Sequence, residues 1–266
     1  MGKSTVSPQE GLRKDRLSQV SVSGRLKVFR FFKKYMEQIR INKYLSECGY
    51  CSRRAADRLV EEGRVTADGR KLKPGDKVTA QMKVQVDGKP VHLEEERVVL
   101  AFNKPVGIVC TAEKKEKNNI VDAIGYPVRI YPVGRLDKDS RGLIFLTNDG
   151  ELMNRLTSAR FHHEKEYLVT VDNEVTADFV KKMESGIYIP ELRQKTRRCR
   201  VKKIRYNTFT IVLNQGLNRQ IRRMCDALGY HVKDLLRIRI SGLKLKDLEL
   251  NEGEYRELTA DELRRL

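Results

Sequence analysis

Apolar residues recur at two different periods along the chain, and each period predicts one kind of element. Near residue 40 they repeat every three or four positions, which is typical of a helix, with a shared face formed by Ile41, Leu45 and Cys48. Further along, short segments alternate between apolar and polar residues or run apolar, which is typical of strands. The pattern therefore predicts helices and strands together in one chain.

A second helix is predicted over residues 53–62. Ser52 is a suitable N-cap because its hydroxyl can accept a hydrogen bond from a free amide of the first turn, and Gly63 is a suitable terminating residue. Arg54 and Arg58 lie four residues apart and share the outer face. The inward face is expected to contain Ala55, Ala56, Leu59 and Val60. This helix therefore presents a basic surface, to which Arg53 also contributes.

Two dipeptides, Asp68-Gly69 and Asp87-Gly88, are typical of tight turns between antiparallel strands. Two helices above such a small sheet predict a compact RNA-binding module over residues 36–96. The polar run of residues 94–96 suggests its end. A second domain is expected over residues 97–266, and residues 1–35, with nine Lys or Arg against two Asp or Glu, are expected to form a flexible basic arm. An alternative is that translation starts at Met36.

The second domain shows strand and helix patterns in irregular order. Strands are predicted at residues 98–102 with a continuation at 107–110, and at 144–147, 167–171 and 208–213. Helices are predicted at 150–156, 177–184 and 218–228. Thr259 and Glu262 have the spacing of a capping box for a helix at the C-terminus. Because the order lacks regular strand–helix–strand spacing, the expected class is α+β.

Composition adds a strong positive charge to this picture. The 266 residues contain 54 Lys and Arg against 36 Asp and Glu, a formal charge of +18. A nucleic acid is the usual partner of such a chain, because each neutralised phosphate releases counterions. The charge is also dense locally, in the pairs Arg53-Arg54, Arg197-Arg198, Lys202-Lys203 and Arg222-Arg223. The alternative is a solvated cationic surface that keeps the protein soluble.

Several function classes are disfavoured. The chain has no run of 18 apolar residues and no secretory signal pattern, so a cytoplasmic protein without membrane contact is expected. Five cysteines suggest reduced thiols. Cys48 and Cys51 have the spacing of a zinc-ligand pair, but a second pair with matching spacing is missing, so no metal site is expected. The sequence contains neither a phosphate-binding loop motif nor a G-x-S-x-G motif.

Two polar segments are candidates for chemistry. The first precedes the strand at 144–147 and places Asp137 between Arg135 and Lys138, where the cations favour an ionised carboxylate that acts as nucleophile or base. The alternative is an ordinary charged turn. The second segment follows Gly216 and opens a helix whose first turn can bind phosphate, with Arg219, Arg222 and Arg223 on neighbouring faces. Its alternative is a solvated helix surface. Ile221, Met224 and Cys225 are expected to face the core.

Four segments in order, residues 100–107, 134–137, 165–167 and 216–224, resemble the RsuA/RluB/RluE/RluF family of pseudouridine synthases. Residues 39–90 resemble the S4 domain that these enzymes carry in front. The resemblance covers residues 39–266 and leaves out 1–35. Within the family, the segments look most similar to a synthase of large-subunit ribosomal RNA. The resemblance implies an N-terminal S4-like domain and a catalytic domain with a mixed, mainly antiparallel sheet.

The resemblance also implies the chemistry. Uridine in RNA is isomerised to pseudouridine by breaking the N1–C1′ bond and joining C5 to C1′, a redox-neutral reaction that needs no cofactor. Asp137 matches the catalytic carboxylate, Tyr167 the active-site tyrosine, and Arg222 the arginine that pairs with the carboxylate. The target base must leave its stack, and Arg135 would fill the vacated space. The residues implied to line the same groove are Leu136, Lys138, Arg219, Gln220 and Ile221.

The implied partner is RNA, most directly 23S ribosomal RNA, with transfer RNA as the alternative substrate and a monomer as the expected state. Two rival functions stay open at this point. One is a non-catalytic S4-type protein that binds RNA during ribosome assembly, for which Asp137 would be dispensable. The other is a metal-dependent nuclease that uses Asp137, Asp139 and Asp149, whose chemistry would need convergent carboxylates.

Overall fold

The computed structural model describes residues 38–93, 96–158 and 163–266. The chain divides into two compact units, Met1–Leu93 and Glu94–Leu266, three residues before the predicted boundary between residues 96 and 97. The predicted arm at residues 1–35 and the alternative start at Met36 lie outside the described residues, as do two of the three residues of the predicted 94–96 break. Each unit is therefore described by itself.

Over residues 38–93, the first unit contains two helices and six short strands. In chain order they are β1 (Ile39–Arg40), α1 (Ile41–Glu47), α2 (Arg53–Glu61), β2 (Val65–Ala67), β3 (Arg70–Lys71), β4 (Lys77–Val78), β5 (Val84–Val86) and β6 (Lys89–Pro90). A four-stranded antiparallel sheet has the order β3-β2-β5-β6, and β1 pairs with β4. Both predicted turns are confirmed, since Asp68-Gly69 joins β2 to β3 and Asp87-Gly88 joins β5 to β6.

The helix α2 begins where the sequence predicts. The Ser52 hydroxyl accepts a hydrogen bond from the Ala55 amide at 3.2 Å, and Gly63 follows the helix with a φ of +69°. Ala56 and Val60 are buried in the core of this unit, while Ala55 and Leu59 are half-buried. Burial of these apolar side chains against α1 and the sheet stabilises the unit through the hydrophobic effect.

The second unit contains the remaining elements. They are β7 (Val99–Lys104), α3 (Ile120–Ile124), β8 (Tyr131–Val133), β9 (Arg141–Thr147), α4 (Gly150–Thr157), β10 (Lys165–Val171), α5 (Ala177–Ser185), β11 (Tyr188–Ile189), β12 (Gln194–Lys195), β13 (Arg200–Arg205), β14 (Thr208–Leu213), α6 (Gln220–Asp226), β15 (Val232–Ile240), β16 (Leu243–Lys244), β17 (Tyr255–Glu257) and α7 (Ala260–Arg264). Two 3₁₀ turns, Pro190–Leu192 and Leu245–Leu248, lie between them. Across the described ranges, no helix has the length and apolar character needed to cross a membrane.

Nine strands of this unit form one sheet in the order β13-β14-β10-β15-β9-β7-β17, with β16 on β15 and β8 on β9. All pairs are antiparallel except β15 with β9, which are parallel. The predicted α+β class with a mixed, mainly antiparallel sheet is confirmed. The parallel pair joins two antiparallel halves, and separate apolar clusters pack on each half.

The parallel contact between β9 and β15 is unusually close at Gly142. A Cβ atom at this position would lie 2.4 Å from the Arg237 carbonyl oxygen and 2.7 Å from its amide nitrogen, and Gly142 has a φ of +106°. Only glycine fits this combination of backbone conformation and space. The close approach of β9 to β15, where the two halves of the sheet meet, therefore requires glycine at position 142.

Two predicted elements are longer, by several residues, than those of the structure. The strand predicted over 98–102 with a continuation at 107–110 ends at Lys104, and Pro105 begins a turn; the continuation is wrong, since Val109 forms only an isolated bridge to Asn119. Pro105 has no amide hydrogen for a ladder bond. The helix predicted over 218–228 is shorter, Gln220–Asp226, because Arg219 has a left-handed conformation with φ +50°.

The C-terminal helix α7 confirms the predicted capping box. The Glu262 amide donates to the Thr259 hydroxyl at 3.3 Å, and the Thr259 amide donates to the Glu262 carboxylate at 2.9 Å. Arg256 adds two charge-assisted hydrogen bonds, of 2.7 and 2.9 Å, to the same carboxylate. These bonds from Arg256 lower the pKa of Glu262 to about 2. The ionised carboxylate therefore stabilises the folded chain.

We predict that Glu262→Gln lowers the free energy of unfolding at pH 7 by about 1–2 kcal/mol, because a cap and charge-assisted bonds are weakened. Since the folded-state pKa lies below the ordinary value of 4.5, the wild-type advantage is full above pH 4.5 and is lost as pH falls towards 2. Urea unfolding at several pH values measures it. The exposed Glu113→Gln serves as control, and an advantage of the wild type that persists at pH 2 would contradict the prediction.

Candidate active site

The loop between β8 and β9, residues 134–140, carries Asp137. Because β8 ends opposite Phe145, the first residues of β9 and the loop before them extend past the end of β8. Hydrogen bonds fix the loop backbone on several sides: the Gly107 amide donates to the Lys138 carbonyl at 2.8 Å, and the Ser140 amide donates to the Asp137 carbonyl at 3.1 Å. The Asp137 carboxylate is 28% exposed and thus accessible from solvent.

Two buried side chains donate hydrogen bonds to the backbone of the Asp137 loop and of the turn that follows β7. Arg237 on β15 is 2% exposed; its Nε donates to the Leu143 carbonyl at 2.6 Å and its Nη1 to the Arg135 carbonyl at 3.5 Å. Lys104 is fully buried, and its Nζ donates to the carbonyls of Pro105 and Ile108 at 2.8 and 2.9 Å. Both side chains thereby position backbone around the site, a role that preorganises a reaction centre.

Two amines near Arg237, those of Lys104 and Lys165, are held where their charged forms are disfavoured. Burial lowers the pKa of Lys104 and of Lys165, and the charge of Arg237 lowers both further. The carboxylates whose charges act on Lys104 are those of Asp137 and Asp139. Attraction between unlike charges is strong where water is excluded. The two carboxylates therefore offset part of the cost of burying the charged Lys104.

Arg219 approaches the carboxylates of the loop from the start of α6. Its guanidinium makes two hydrogen bonds to the Asp139 carboxylate, at 3.0 and 3.2 Å, and its Nη1 lies 3.9 Å from Asp137 Oδ2. The left-handed backbone of Arg219 directs the helix start towards the loop. Burial alone would raise the pKa of Asp139, but the bond from Arg219 and the charges of Arg222 and Arg219 outweigh it and hold that pKa below its ordinary value.

The expected pairing of Arg222 with Asp137 is not what the structure shows. The Arg222 guanidinium donates to the Asp139 carbonyl at 2.8 Å, to the Ser140 hydroxyl at 3.4 Å and to the Val232 carbonyl at 3.2 Å, and its Nε lies 3.4 Å from the Asp139 carboxylate. The cation nearest to Asp137 is Arg219 instead. Arg222 therefore bridges the end of the loop and β15.

Three residues expected to line the RNA groove have largely buried side chains, and their contact with RNA stays a prediction. Leu136 is 7% exposed and belongs to the apolar cluster between α3 and the sheet. Ile221 is 4% exposed and packs with Met224 and Cys225. The prediction that these three residues face the core is confirmed. Gln220 is 4% exposed, and its side-chain oxygen accepts from the Leu217 amide at 3.0 Å. These side chains shape the loops, whereas Arg135, Lys138 and Arg219 are exposed.

Tyr167 lies on β10, the neighbour of β15, and is half-buried. It packs against two different apolar clusters, one on each half of the sheet. Its register partner on β15 is Arg237, which contacts the Asp137 loop through the Arg135 carbonyl. The structure therefore brings Tyr167 to the same junction of the sheet as Asp137.

A cavity of about 760 Å³ lies elsewhere in this unit. Glu166, Leu236, Ile238, Arg239 and Leu245 are among its lining residues, and it contains none of the predicted site residues. Leu236 lines it, whereas the neighbouring Arg237 and Leu235 are buried on the other side, because successive strand residues point to opposite faces. The cavity is therefore separate from the candidate active site.

The carboxylates of the nuclease hypothesis do not converge. Asp149 caps α4 by accepting from the Glu151 and Leu152 amides, and it forms an ion pair with Arg97. Asp137 and Asp139 are both engaged by Arg219. Within the described ranges, no group of three or more His, Cys, Asp or Glu side chains is arranged to hold a metal ion. The cysteines that the structure describes are free thiols, including Cys48 and Cys51.

The first unit presents a separate basic surface. Arg53, Arg54 and Arg58 are exposed on α2. The helix is held in place, since Asp57 accepts a hydrogen bond from the Asn42 side chain of α1 at 2.8 Å, and Val60 is in the core. The helix therefore holds the three guanidinium groups on one rigid element.

Sequence patterns alone missed the positioning roles of Arg237, Lys104 and Asp139. Arg237 lies in a strand where polar and apolar residues mix, so its burial has no local signal. Lys104 follows an apolar strand and precedes proline, which resembles an ordinary strand end.

Comparisons with known proteins agree for both units. Residues 98–227 match the family described as RNA pseudouridylate synthase, and residues 39–84 match the S4 domain. The "Dual-specificity RNA pseudouridine synthase RluF" of Escherichia coli (strain K12) is 50% identical over 227 residues, which cover 85% of this chain and 77% of that protein. An "Uncharacterized RNA pseudouridine synthase" of Aquifex aeolicus (strain VF5) is 38% identical over 240 residues, 87% of this chain and 94% of that protein.

A solved structure supports the same assignment. A crystal structure of a pseudouridylate synthase has 29% sequence identity and a TM-score of 0.63, and the match covers 85% of this chain and 99% of the other. The 50% identity to the Escherichia coli relative over most of the chain shows common family membership, and the fold of the solved structure agrees. The chain belongs to the RsuA-type family of pseudouridine synthases with an S4 domain, and it is an RNA uridine isomerase.

Proposed function

We propose that the protein isomerises specific uridines of large-subunit ribosomal RNA, with Asp137 as the catalytic carboxylate. The observation that carries this proposal is the placement of Asp137: an accessible carboxylate, 3.9 Å from Arg219, on a loop fixed by the Gly107 amide and above buried cations. A "Ribosomal large subunit pseudouridine synthase B" of Bacillus subtilis (strain 168), 34% identical over 234 residues, supports the choice of RNA.

The chemistry requires a carboxylate at this place. The N1–C1′ bond breaks, the uracil turns, C5 bonds to C1′, the C5 proton leaves to solvent and N1 gains a proton. Asp137 has two routes: attack on C1′ as a nucleophile, or removal of a proton from C2′ to form a glycal. Both routes use a carboxylate oxygen of Asp137, and the guanidinium of Arg219 lies 3.9 Å from that carboxylate.

The neighbouring residues have distinct proposed roles. Tyr167 stacks on the uracil and assists removal of the C5 proton. Arg222 acts as a positioning residue, because it holds the Asp139 carbonyl and the Ser140 hydroxyl. The target nucleotide leaves its stack at a cost of a few kcal/mol, and the exposed Arg135 occupies the space it vacates. Lys138 and Arg219 bind the adjacent phosphates.

The substrate class is tested on two RNAs prepared from cells in which the gene is deleted. Large-subunit ribosomal RNA and total transfer RNA are each incubated with the protein, digested to nucleosides and separated by chromatography. We expect new pseudouridine in the ribosomal RNA. The name of the Escherichia coli relative includes "dual-specificity", so the transfer RNA arm is included; pseudouridine in transfer RNA alone would contradict the ribosomal proposal.

The first unit is proposed to bind RNA through α2 and to add affinity without taking part in the reaction. We predict that Arg54→Gln with Arg58→Gln weakens binding and makes the slope of log K against log salt less steep by roughly 1.4, about 0.7 per phosphate contact on a single strand. The turnover number at saturating RNA stays unchanged. Filter binding at several salt concentrations measures the slope.

The matched control for α2 removes two exposed cations from the sheet of the same unit, Lys71→Gln with Lys89→Gln. It changes the net charge equally. Because the proposal places the phosphate contacts on the helix, the control is expected to leave the slope near the wild-type value. Equal slopes for the two double variants would show that α2 has no specific role.

A further inference from the structure

A dense basic segment of the second unit lies outside the roles assigned so far. Residues 193–205 contain eight cations and no carboxylate. All eight side chains are exposed: Arg193, Lys195, Arg197, Arg198, Arg200, Lys202, Lys203 and Arg205. This basic strip, as we name residues 193–205, includes β12 and β13, and β13 is the terminal strand of the nine-stranded sheet.

Acidic residues neutralise only a small part of the strip. Arg200 pairs with Glu164 at 2.7 Å and Lys203 with Glu174 at 3.0 Å. The Glu184 carboxylate accepts a hydrogen bond from the Val201 amide at 3.0 Å, so it is engaged with backbone. The other six cations of the strip form no ion pair with a carboxylate in the ranges that the structure describes. A surface that serves solubility alone would intersperse both signs.

Exposed aromatic side chains flank the cations at both ends of the strip. Tyr206 is 67% exposed and directly follows Arg205 in the turn between β13 and β14. Tyr188 is 57% exposed and lies opposite Lys195 in the pairing of β11 with β12. Cations beside exposed aromatic rings are the combination that single-stranded nucleic acid uses, with phosphates on the cations and bases stacked on the rings.

The strip is connected to the active-site segment. The Arg197 amide donates to the Gln215 side-chain oxygen at 2.9 Å, and Gln215 lies four residues before Arg219. Arg223 of α6 pairs with Glu191, two residues before the strip begins, at 3.3 Å. From Arg200, opposite Val212, β13 runs to Arg205, opposite Thr208, over about 17 Å at roughly 3.3 Å per residue. The basic surface therefore extends away from the site in one direction.

We propose that the basic strip binds the RNA strand that flanks the uridine at Asp137, with phosphates on Arg197 and Arg198, next to Gln215, and a base further along stacked on Tyr206. The inference rests on the proposed function, because the strand it binds is the substrate. The strip supplies affinity and fixes the direction in which the strand leaves the site. Phosphate contacts of this kind set the register of a nucleic acid without reading its sequence.

The test compares two double variants of the full chain with equal charge change. Arg197→Gln with Arg198→Gln removes two cations of the strip, and Lys244→Gln with Lys246→Gln removes two exposed cations outside it. The probe is an oligouridine of about 20 nucleotides, and binding is measured from low to high salt. We expect the slope of log K against log salt to become less steep by roughly 1.4 for the strip variant alone. Equal slopes for both variants would overturn the proposal and leave the cations as protection of a sheet edge.

A second pair of variants tests stacking. Tyr206→Ala is expected to weaken oligouridine binding roughly 5- to 150-fold, as for loss of one stacked base, whereas Tyr206→Phe retains binding. The Tyr206 carbonyl accepts from the Val175 amide at 2.7 Å, a backbone contact that both variants keep. Equal binding by the alanine and phenylalanine variants would show that Tyr206 does not stack on a base of the RNA.

Activity separates this inference from the proposed function. With ribosomal RNA as substrate, the strip variant is expected to raise KM and to keep the turnover number of the wild type, because its residues do not touch the reacting atoms. A wild type that forms no pseudouridine in that RNA would overturn the proposed function and leave the salt comparison valid. A lowered turnover number with unchanged KM would contradict the strip's assigned role.

Discussion

Asp137→Asn is expected to lower the turnover number by a factor on the order of 10⁴ or more, while RNA affinity stays within about twofold of the wild type. The amide is nearly isosteric but cannot act as nucleophile or base, so both proposed routes are lost. Affinity is retained because one charge among many contributes little to binding by a chain of charge +18. Release of tritium from RNA labelled at uridine C5 measures turnover, and filter binding measures affinity.

Asp139→Asn is the matched control, since it removes a carboxylate two residues away on the same loop. It weakens the anchor that Arg219 makes through two hydrogen bonds, at 3.0 and 3.2 Å, and that Arg222 makes at 3.4 Å. Displacement of a positioning contact typically costs about 10²-fold in rate, so a partial loss is expected here. A loss as large as that of Asp137→Asn would assign the chemistry to Asp139 instead.

Gly142→Ala is expected to destabilise the second unit by about 3–5 kcal/mol, at the upper end of single-substitution effects. The added Cβ would lie 2.4 Å from the Arg237 carbonyl oxygen, and the φ of +106° is unfavourable for any residue with a side chain. Backbone must move apart where β9 and β15 meet. This movement also displaces Arg237, which holds the Arg135 carbonyl of the catalytic loop.

Urea unfolding of the full chain measures the change at Gly142, with Gly216→Ala as the control. A Cβ added at Gly216 would have no atom within 4 Å, and this residue has no left-handed φ, so its substitution is expected to change stability by about 0.5 kcal/mol or less. Any Gly142→Ala protein that folds should show reduced turnover with little change in RNA affinity. A free energy of unfolding of Gly142→Ala equal to that of the wild type would contradict the close contact between β9 and β15.

Local signals predicted much of the fold. Ser52 and Thr259 fix helix starts through bonds to residues three positions away, and the Asp-Gly turns fix two hairpins, so nearby sequence is sufficient. The helix over 218–228 was predicted too long because the left-handed Arg219 depends on contacts with a distant loop. The same reason explains the false strand continuation at 107–110, where Gly107 donates to Lys138 instead of a ladder partner.

The sequence predicted candidate site residues that the structure brings near one another, but it did not predict their contacts. Asp137, Tyr167 and Arg222 all lie at the junction of the two sheet halves, but Arg222 contacts Asp139 and Ser140, and Arg219 is nearest to Asp137. Family motifs mark which residues matter and carry no information on which rotamer pairs with which partner. Burial of Gln220 and Leu136 follows from packing across the sheet, which has no local pattern.

The most direct test of the central claim is carbodiimide-probed primer extension on large-subunit ribosomal RNA from cells in which the gene is deleted. The RNA is treated with the wild type or with Asp137→Asn before probing. We predict a new stop with the wild type and none with the variant, which would establish reaction, substrate and carboxylate together. A stop of equal strength with Asp137→Asn, or no stop despite tight binding by the wild type, would contradict the account.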